Sequence, residues 1–318
     1  MNDNEKALAR TLFENKIHKK SGTEFEAFFT LIMSYAYKDF RQVKPQGRIG
    51  DRKNDGYIPS TGTYYQVYAP ENPSSDKTPA KVVKKAKDDF DGLLKDWSKI
   101  CEPRKYYFVF NDKYYGSYPE IEETMSEIQR KHDLAKCNVF LAKDLEDVCF
   151  SLLDDSQLIR VVGFIPSADQ IDLIDYTILS KVIGYVMSKF KPIEIENWDV
   201  PEFDGKISFN NLSDPIKSIL NNAFYQYGIL EEYFKNKSDF VRQEIRDRIS
   251  KAYKDSVDEF ISIDIENKSD HVFMEIAERI TPNNVSNNKK SVQDAVFVLM
   301  AYYFSSCDIF ESPSEQES

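Results

Sequence analysis

Gly50-Asp51-Arg52-Lys53-Asn54-Asp55-Gly56 and, eleven residues after Asp55, Gln66-Val67-Tyr68 form the stretch that decides the first half of this chain. Asp55-Gly56 is turn chemistry. Tyr64-Tyr65-Gln66-Val67-Tyr68 is rich in aromatic and β-branched residues and predicts a short strand. Residues two apart on a strand share a face, so Gln66 and Tyr68 point the same way. Upstream, Gly22-Thr23-Glu24-Phe25-Glu26 opens a segment with Phe25, Phe28, Phe29, Ile32 and Met33 at helical spacing. That spacing predicts a helix from about Thr23 to Phe40. Pro45, Gly47, Gly50, Gly56, Pro59 and Gly62 then read as turns between short strands.

Downstream, Pro79 opens a lysine-rich helix running to about Trp97, and Lys105 to Phe110 predicts a second, buried strand. A helix from about Pro119 to Lys131, a strand from Asn138 to Leu141 and a helix from Asp144 to Leu153 follow. Strands separated by helices favour a mixed or parallel central sheet. The pattern changes near Gly163–Ala168. From Asp169 to Phe190, Ile171, Ile174, Ile178, Val182 and Val186 predict one long helix. After a connector from Pro192 to Pro201, helices are expected over Asp214–Phe234, Ser238–Phe260, Val272–Ile280 and Val292–Phe304. The polar, acidic Ser312–Ser318 is expected to be disordered. The fold class is therefore an α/β domain over residues 1–166 and an all-α domain over residues 167–318.

With 41% hydrophobic and 30% charged residues, the 318-residue chain has the composition of a soluble globular protein. Its apolar run Val296–Phe304 is far short of the roughly 18 residues of a membrane span. The first ten residues lack a basic patch followed by an apolar stretch, so no signal peptide is expected. The charge is unevenly divided. Residues 1–160 carry 26 of the 42 Lys and Arg and 26 of the 53 Asp and Glu, so the whole net charge of −11 lies beyond them. Only the first half could meet a polyanion without long-range repulsion.

Cys101, Cys137, Cys149 and Cys307 form no CxxC pair, which argues against a zinc site or disulfide scaffold and fits a reducing cytosol. His18, His132 and His271 stand in no metal-ligand spacing. Any metal would be held by oxygen ligands, a chemistry that selects Mg²⁺ or Mn²⁺. No phosphate-loop motif occurs, so an ATPase reading lacks support. The 19 Tyr and 22 Phe include the clusters Tyr64-Tyr65 and Tyr106-Tyr107-Phe108, which on strands are core before they are base-stacking platforms.

The order of G-x-E-F-E helix, G-D-x-x-x-D turn and strand with Q-x-Tyr resembles the Mrr-type branch of the PD-(D/E)XK nucleases, over residues 22–111. The resemblance implies a restriction-endonuclease-like mixed sheet flanked by helices. It makes Asp55 the metal-binding aspartate, Gln66 the second strand position and Glu26 the helix carboxylate, with Glu71 a further candidate ligand. Hydrolysis of a phosphodiester needs a hard cation to polarise the phosphoryl oxygen and acidify a water, and a nearby lysine to stabilise the developing charge. Tyr68 stands where that family carries its lysine. The following helix offers Lys81, Lys84, Lys85 and Lys87. Lys84 is the first choice as catalytic lysine and Lys85 the second, while Lys53 and Lys81 are candidates for contact with DNA phosphates. A lysine-rich stretch equally fits a solvated helix face, and a lone Asp-Gly a plain turn.

Asp55-Gly56-Tyr57 through Tyr65-Gln66-Val67-Tyr68-Ala69-Pro70-Glu71 also looks like the nuclease-like module of bacterial ABC-three-component defence systems, the group that includes Lamassu. Pro201-Glu202-Phe203-Asp204-Gly205-Lys206-Ile207-Ser208-Phe209-Asn210 and Cys307-Asp308-Ile309-Phe310-Glu311 resemble the helical C-terminal domain of those proteins. The resemblance implies a cytoplasmic anti-phage effector restrained through its C-terminal domain by an SMC-like ATPase and a small middle subunit. Once released, it would self-associate as a homo-oligomer and cut double-stranded DNA. Two alternatives stay open: a catalytically inactive nuclease fold that binds DNA or holds subunits together, and a nuclease-derived regulator that inhibits its partner.

Overall fold

A computed structural model describes residues 1–43, 53–75, 78–163, 165–167, 170–192, 203–235, 237, 239–283, 289–306 and 309–311. The Gly50-Asp51-Arg52 part of the turn motif, Cys307-Asp308, most of the Pro192–Pro201 connector and the Ser312–Ser318 tail lie outside them. The chain divides into two compact units: Phe13–Gly163, and Met1–Leu12 together with Phe164–Ser318. Residues 1–12 thus count with the helical unit instead of the sheet, because Leu8 and Leu12 pack into its apolar core.

The sheet unit is built on five strands: β1 (Arg41–Gln42), β2 (Gly56–Ile58), β3 (Thr63–Tyr68), β4 (Lys105–Phe110) and β5 (Lys136–Phe140). They lie in the order β1-β2-β3-β4-β5. The first three are antiparallel and the last three parallel. Connection length explains the switch, since a tight turn joins antiparallel strands and a crossover helix joins parallel ones. Between β2 and β3 a single 3₁₀ turn, Pro59–Thr61, ends on Gly62 at φ 60°. A Cβ there would meet the carbonyl oxygen of Glu102 at 2.7 Å, so glycine is required on both counts. Between β3 and β4 runs the 20-residue α3 (Thr78–Trp97).

Two aromatic layers sandwich the sheet. On one face, Tyr64, Tyr106, Phe108 and Phe110 pack against Val82, Ala86, Phe90 and Leu93 of α3 and against Ile121 and Met125 of α4 (Pro119–Lys131). On the other, Tyr65 and Phe140 meet Phe29 of α2 (Gly22–Ala36), with ring centroids 5.7 and 6.0 Å from it. Each such buried side chain contributes roughly 1.5–3 kcal/mol. The helix α2 stops at Ala36, four residues earlier than its apolar spacing suggests. Tyr37 is extended, and the chain turns back so that Phe40 packs on Phe29 and Tyr65. Helices α5 (Ala142–Leu152) and α6 (Asp155–Val162) close the unit, the latter capped by Asp154, which accepts from Gln157 N.

The helical unit centres on α13 (Lys289–Ser305), buried at every position from Asp294 to Phe304. A helix apolar on all sides needs neighbours all round. They are α7 (Tyr176–Lys189), α9 (Asp214–Phe224), α10 (Tyr227–Lys235), α11 (Asp239–Phe260) and α12 (Lys268–Ile280). The apolar run of residues 296–304 is thus core, and no described helix is long and apolar enough to cross a membrane.

Two helices of this unit depart from expectation most, and one side chain links the two places. The helix expected from Asp169 begins at Tyr176, capped by Asp175, which accepts from Thr177 N and Ile178 N. The helix expected over Asp214–Phe234 breaks at residues 225–226, between α9 and α10. Gln226 sits in that break. Its Oε1 accepts from Ile174 N at 3.0 Å and its Nε2 donates to Asp172 O at 2.8 Å, holding residues 171–174 in a non-helical path. Periodicity alone cannot show a side chain that satisfies the backbone of a segment some fifty residues away.

Candidate active site

Asp55 ends the loop that leads into β2 and is fixed before its side chain does anything. Its N–H donates to Tyr65 O and its carbonyl accepts from Val43 N. The carboxylate is buried, and Oδ2 accepts from Gln66 Nε2 at 2.7 Å and from the Val67 N–H at 2.6 Å. Asp55 and Gln66, eleven residues apart in sequence, therefore meet side chain to side chain. The amide oxygen of Gln66, Oε1, is buried without a hydrogen-bond partner, as are both polar atoms of Asn54 and the hydroxyl of Tyr106. Such groups each cost about 1–3 kcal/mol when left unpaired, which makes the surroundings of Asp55 a candidate site. Burial drives the Tyr106 phenol well above its usual pKa, and the nearby carboxylates of Asp89 and Asp55 add to the shift.

Asp89 is the group that reading the sequence missed. It lies on α3 with 1% exposure, among Val82, Ala86, Phe90 and Leu93. Lys53 Nζ stands 2.9 Å from its Oδ1 and Lys85 Nζ 2.6 Å from its Oδ2. A signal was present. Positions 82, 86, 89 and 93 form one buried stripe of an amphipathic helix, and a charged residue on such a stripe needs a partner or a purpose.

The lysines separate. The Lys85 ammonium also lies over the ring of Tyr68, 5.9 Å from its centroid. Burial raises the phenol pKa of Tyr68, so this residue is neutral at ordinary pH. Lys84, the first choice from sequence, is exposed on α3, as is Lys81. Among the carboxylates, Glu26 is half-buried on α2, the helix packed against the sheet face opposite α3. Glu71 is exposed, and its backbone carbonyl accepts from Lys113 Nζ. Among the described residues no group of three or more Asp, Glu, His or Cys could hold a metal ion, so Glu26 and Glu71 do not both join Asp55 in such a cluster. The side-chain oxygens left for a metal are those of Asp55 and the unpartnered Oε1 of Gln66, although it is Nε2 of that amide that faces the carboxylate. Two protein oxygens suit Mg²⁺, which usually keeps several waters.

In the helical unit, the one lysine of the Pro201–Asn210 segment singled out from sequence is buried. Lys206, on α8 (Phe203–Phe209), donates from Nζ to the carbonyls of Phe304 and Ile309 at 2.8 and 2.7 Å, with its ammonium 4.6 Å from the Phe304 ring. It ties α8 to the C-terminal end of α13, where carbonyls lack helical partners. Both sequence segments that resemble the defence-system C-terminal domain meet at this lysine.

No curated protein and no solved structure matches the chain. Residues 187–311, which run from the last turn of α7 to Glu311, match the model of C-terminal domain 10 of the ABC-three component (ABC-3C) systems, a match that indicates a subunit of such a system, working beside other subunits.

Proposed function

We propose that this chain is the effector subunit of an ABC-three-component anti-phage defence system and that its sheet unit is a divalent-metal-dependent nuclease acting on duplex DNA. One observation carries the reading: the Lys85 ammonium lies over Tyr68, at the strand position where the resemblance to PD-(D/E)XK nucleases puts a lysine. A helix thus brings a positive charge to the place the strand leaves without one. Asp55 and Gln66 Oε1 would hold Mg²⁺ or Mn²⁺, and the bound ion would polarise the scissile phosphate and acidify a water. Lys85 would stabilise the negative charge that develops there. Val67 N–H and Gln66 Nε2 hold the Asp55 carboxylate in one orientation; binding the ion through Oε1 would turn the Gln66 amide over and leave Val67 N–H to hold the carboxylate.

The helical unit carries the negative charge of the chain and the ABC-3C domain. It is the docking half in this reading, engaged by an SMC-like ATPase and a small middle subunit that restrain the sheet unit until foreign DNA is sensed, after which the released chain self-associates and cuts. The test is incubation of the purified chain with linear and circular plasmid and Mg²⁺ or Mn²⁺, beside Asp55→Ala. Cleavage that needs the metal and is lost in Asp55→Ala is the expected result, and cleavage undiminished in Asp55→Ala removes the site assignment.

A second reading has a specific observation in its favour. Asp55 Oδ2 already accepts two hydrogen bonds, an arrangement that also serves a fold retained for binding. Duplex binding without cleavage under any divalent ion would select it.

A further inference from the structure

We propose that Asp89 is a positioning residue that presents Lys53 and Lys85 as a paired clamp for adjacent phosphates of a DNA strand. The proposal rests on the reading above in taking duplex DNA as the ligand. The carboxylate is 1% exposed, while the Lys53 and Lys85 side chains keep 48% and 33% of their surface. A buried carboxylate anchors two ammonium groups that still reach solvent. Each takes its own oxygen, Lys53 from the loop before β2 and Lys85 from α3 itself. Two ammoniums on one carboxylate leave this trio with one net positive charge, which a phosphate would neutralise.

Two more features aim Lys53 at this position. Its backbone is left-handed at φ 63°, a conformation that a lysine adopts at some cost. Its stem also crosses α3 at Gly92, three residues beyond Asp89, where a Cβ would come within 2.8 Å of Lys53 Cγ. A bare helix position thus lets the stem pass, and the buried carboxylate catches its end.

Simple electrostatics and positioning predict opposite signs. Removing a negative charge near a polyanion site strengthens binding unless that charge holds the cationic groups in place. The experiment measures affinity of the full chain for a short labelled duplex across a salt series, by fluorescence anisotropy, for the wild type, Asp89→Asn and Gly92→Ala. Asp89→Asn is expected to bind roughly tenfold more weakly at low salt, with a salt dependence shallower by about two phosphate contacts. Gly92→Ala changes no charge and places the better helix former in α3. It is expected to bind several-fold more weakly with thermal stability held or raised.

If Asp89→Asn fails to fold, Gly92→Ala decides. Binding by a folded Asp89→Asn as tight as the wild type or tighter overturns the proposal, and so does unchanged binding by Gly92→Ala. A wild-type chain that binds duplex DNA and never cuts it defeats the nuclease reading while this proposal is still decided by the variants. A wild-type chain that binds no duplex overturns both.

Discussion

The ammonium of Lys85 stands over the ring of Tyr68, 5.9 Å from its centroid, while bonded to Asp89 one helical turn further along α3. A cation above a phenol face gains about 0.5–1 kcal/mol where partly exposed. Its more useful consequence is positional, because strand β3 and helix α3 together hold a charge where the strand alone offers a neutral phenol.

The two adjacent lysines are therefore unequal. Lys85→Ala should lower the initial rate of DNA cleavage by about 100–1,000-fold, the range for loss of one charge-stabilising group. Lys84→Ala, on the exposed side of α3, should stay within about twofold. Initial rates on one linear plasmid check this, and equal losses in the two variants would contradict it.

Gly56, directly after Asp55, lies under the ring of Phe40. A Cβ there would sit 2.3 Å from Cζ of that ring. Phe40 is wedged between Phe29 and Tyr65 and has no easy retreat. Gly56→Ala should cost about 1–3 kcal/mol by overpacking. The same change in a Phe40→Leu background should cost less, a coupling that urea titration of the four proteins would read.

Lys206→Ala should destabilise the helical unit by roughly 2–4 kcal/mol, since it opens a cavity and strips the donor from two carbonyls. Lys206→Met keeps most of the volume and should recover part of that loss. Denaturant midpoints followed by a helical signal measure both.

The buried carboxyl of Asp270, on α12, has its pKa raised by burial, against the opposing effect of its bonds from Ser213. A folded-state pKa above the unfolded one means that the native state holds the proton more tightly. Stability from this group therefore falls as pH rises through the window above about 4 and returns as pH falls. Asp270→Asn imitates the protonated form. The wild type should gain stability relative to this variant between neutrality and about pH 4, and a flat or reversed difference would contradict the assignment.

Burial pushes the thiols of Cys137 and Cys149 up to about 12. The thiolate is the reacting species, so both should resist alkylation in the folded chain. Cys101 is partly exposed and should label first among these three. Peptide mass spectrometry after brief treatment with iodoacetamide distinguishes them.

What could be read in the amino-acid sequence follows the range of the forces involved. The strand Lys105–Phe110, the helix Pro119–Lys131 and the lysine-rich helix ending at Trp97 emerge where aromatic runs, proline starts and apolar spacing predict them, because those signals are local. The meeting of Asp55 with Gln66 follows from a short hairpin whose register is set by one tight turn. The choice between Lys84 and Lys85 was not local. A helix rotates each successive residue by about 100°, and only the packing of α3 on the sheet decides which lysine faces Tyr68. Asp89 and Gln226 had long-range partners that no spacing reveals: Lys53 from a distant loop in one case, the backbone of residues 172–174 in the other. The sequence by itself determined the order of elements and the hairpin that carries the acidic pair. Tertiary structure alone decided which charges meet there, because a salt bridge or a buried carboxylate is specified by three-dimensional distance and desolvation, and neither has a period along the chain.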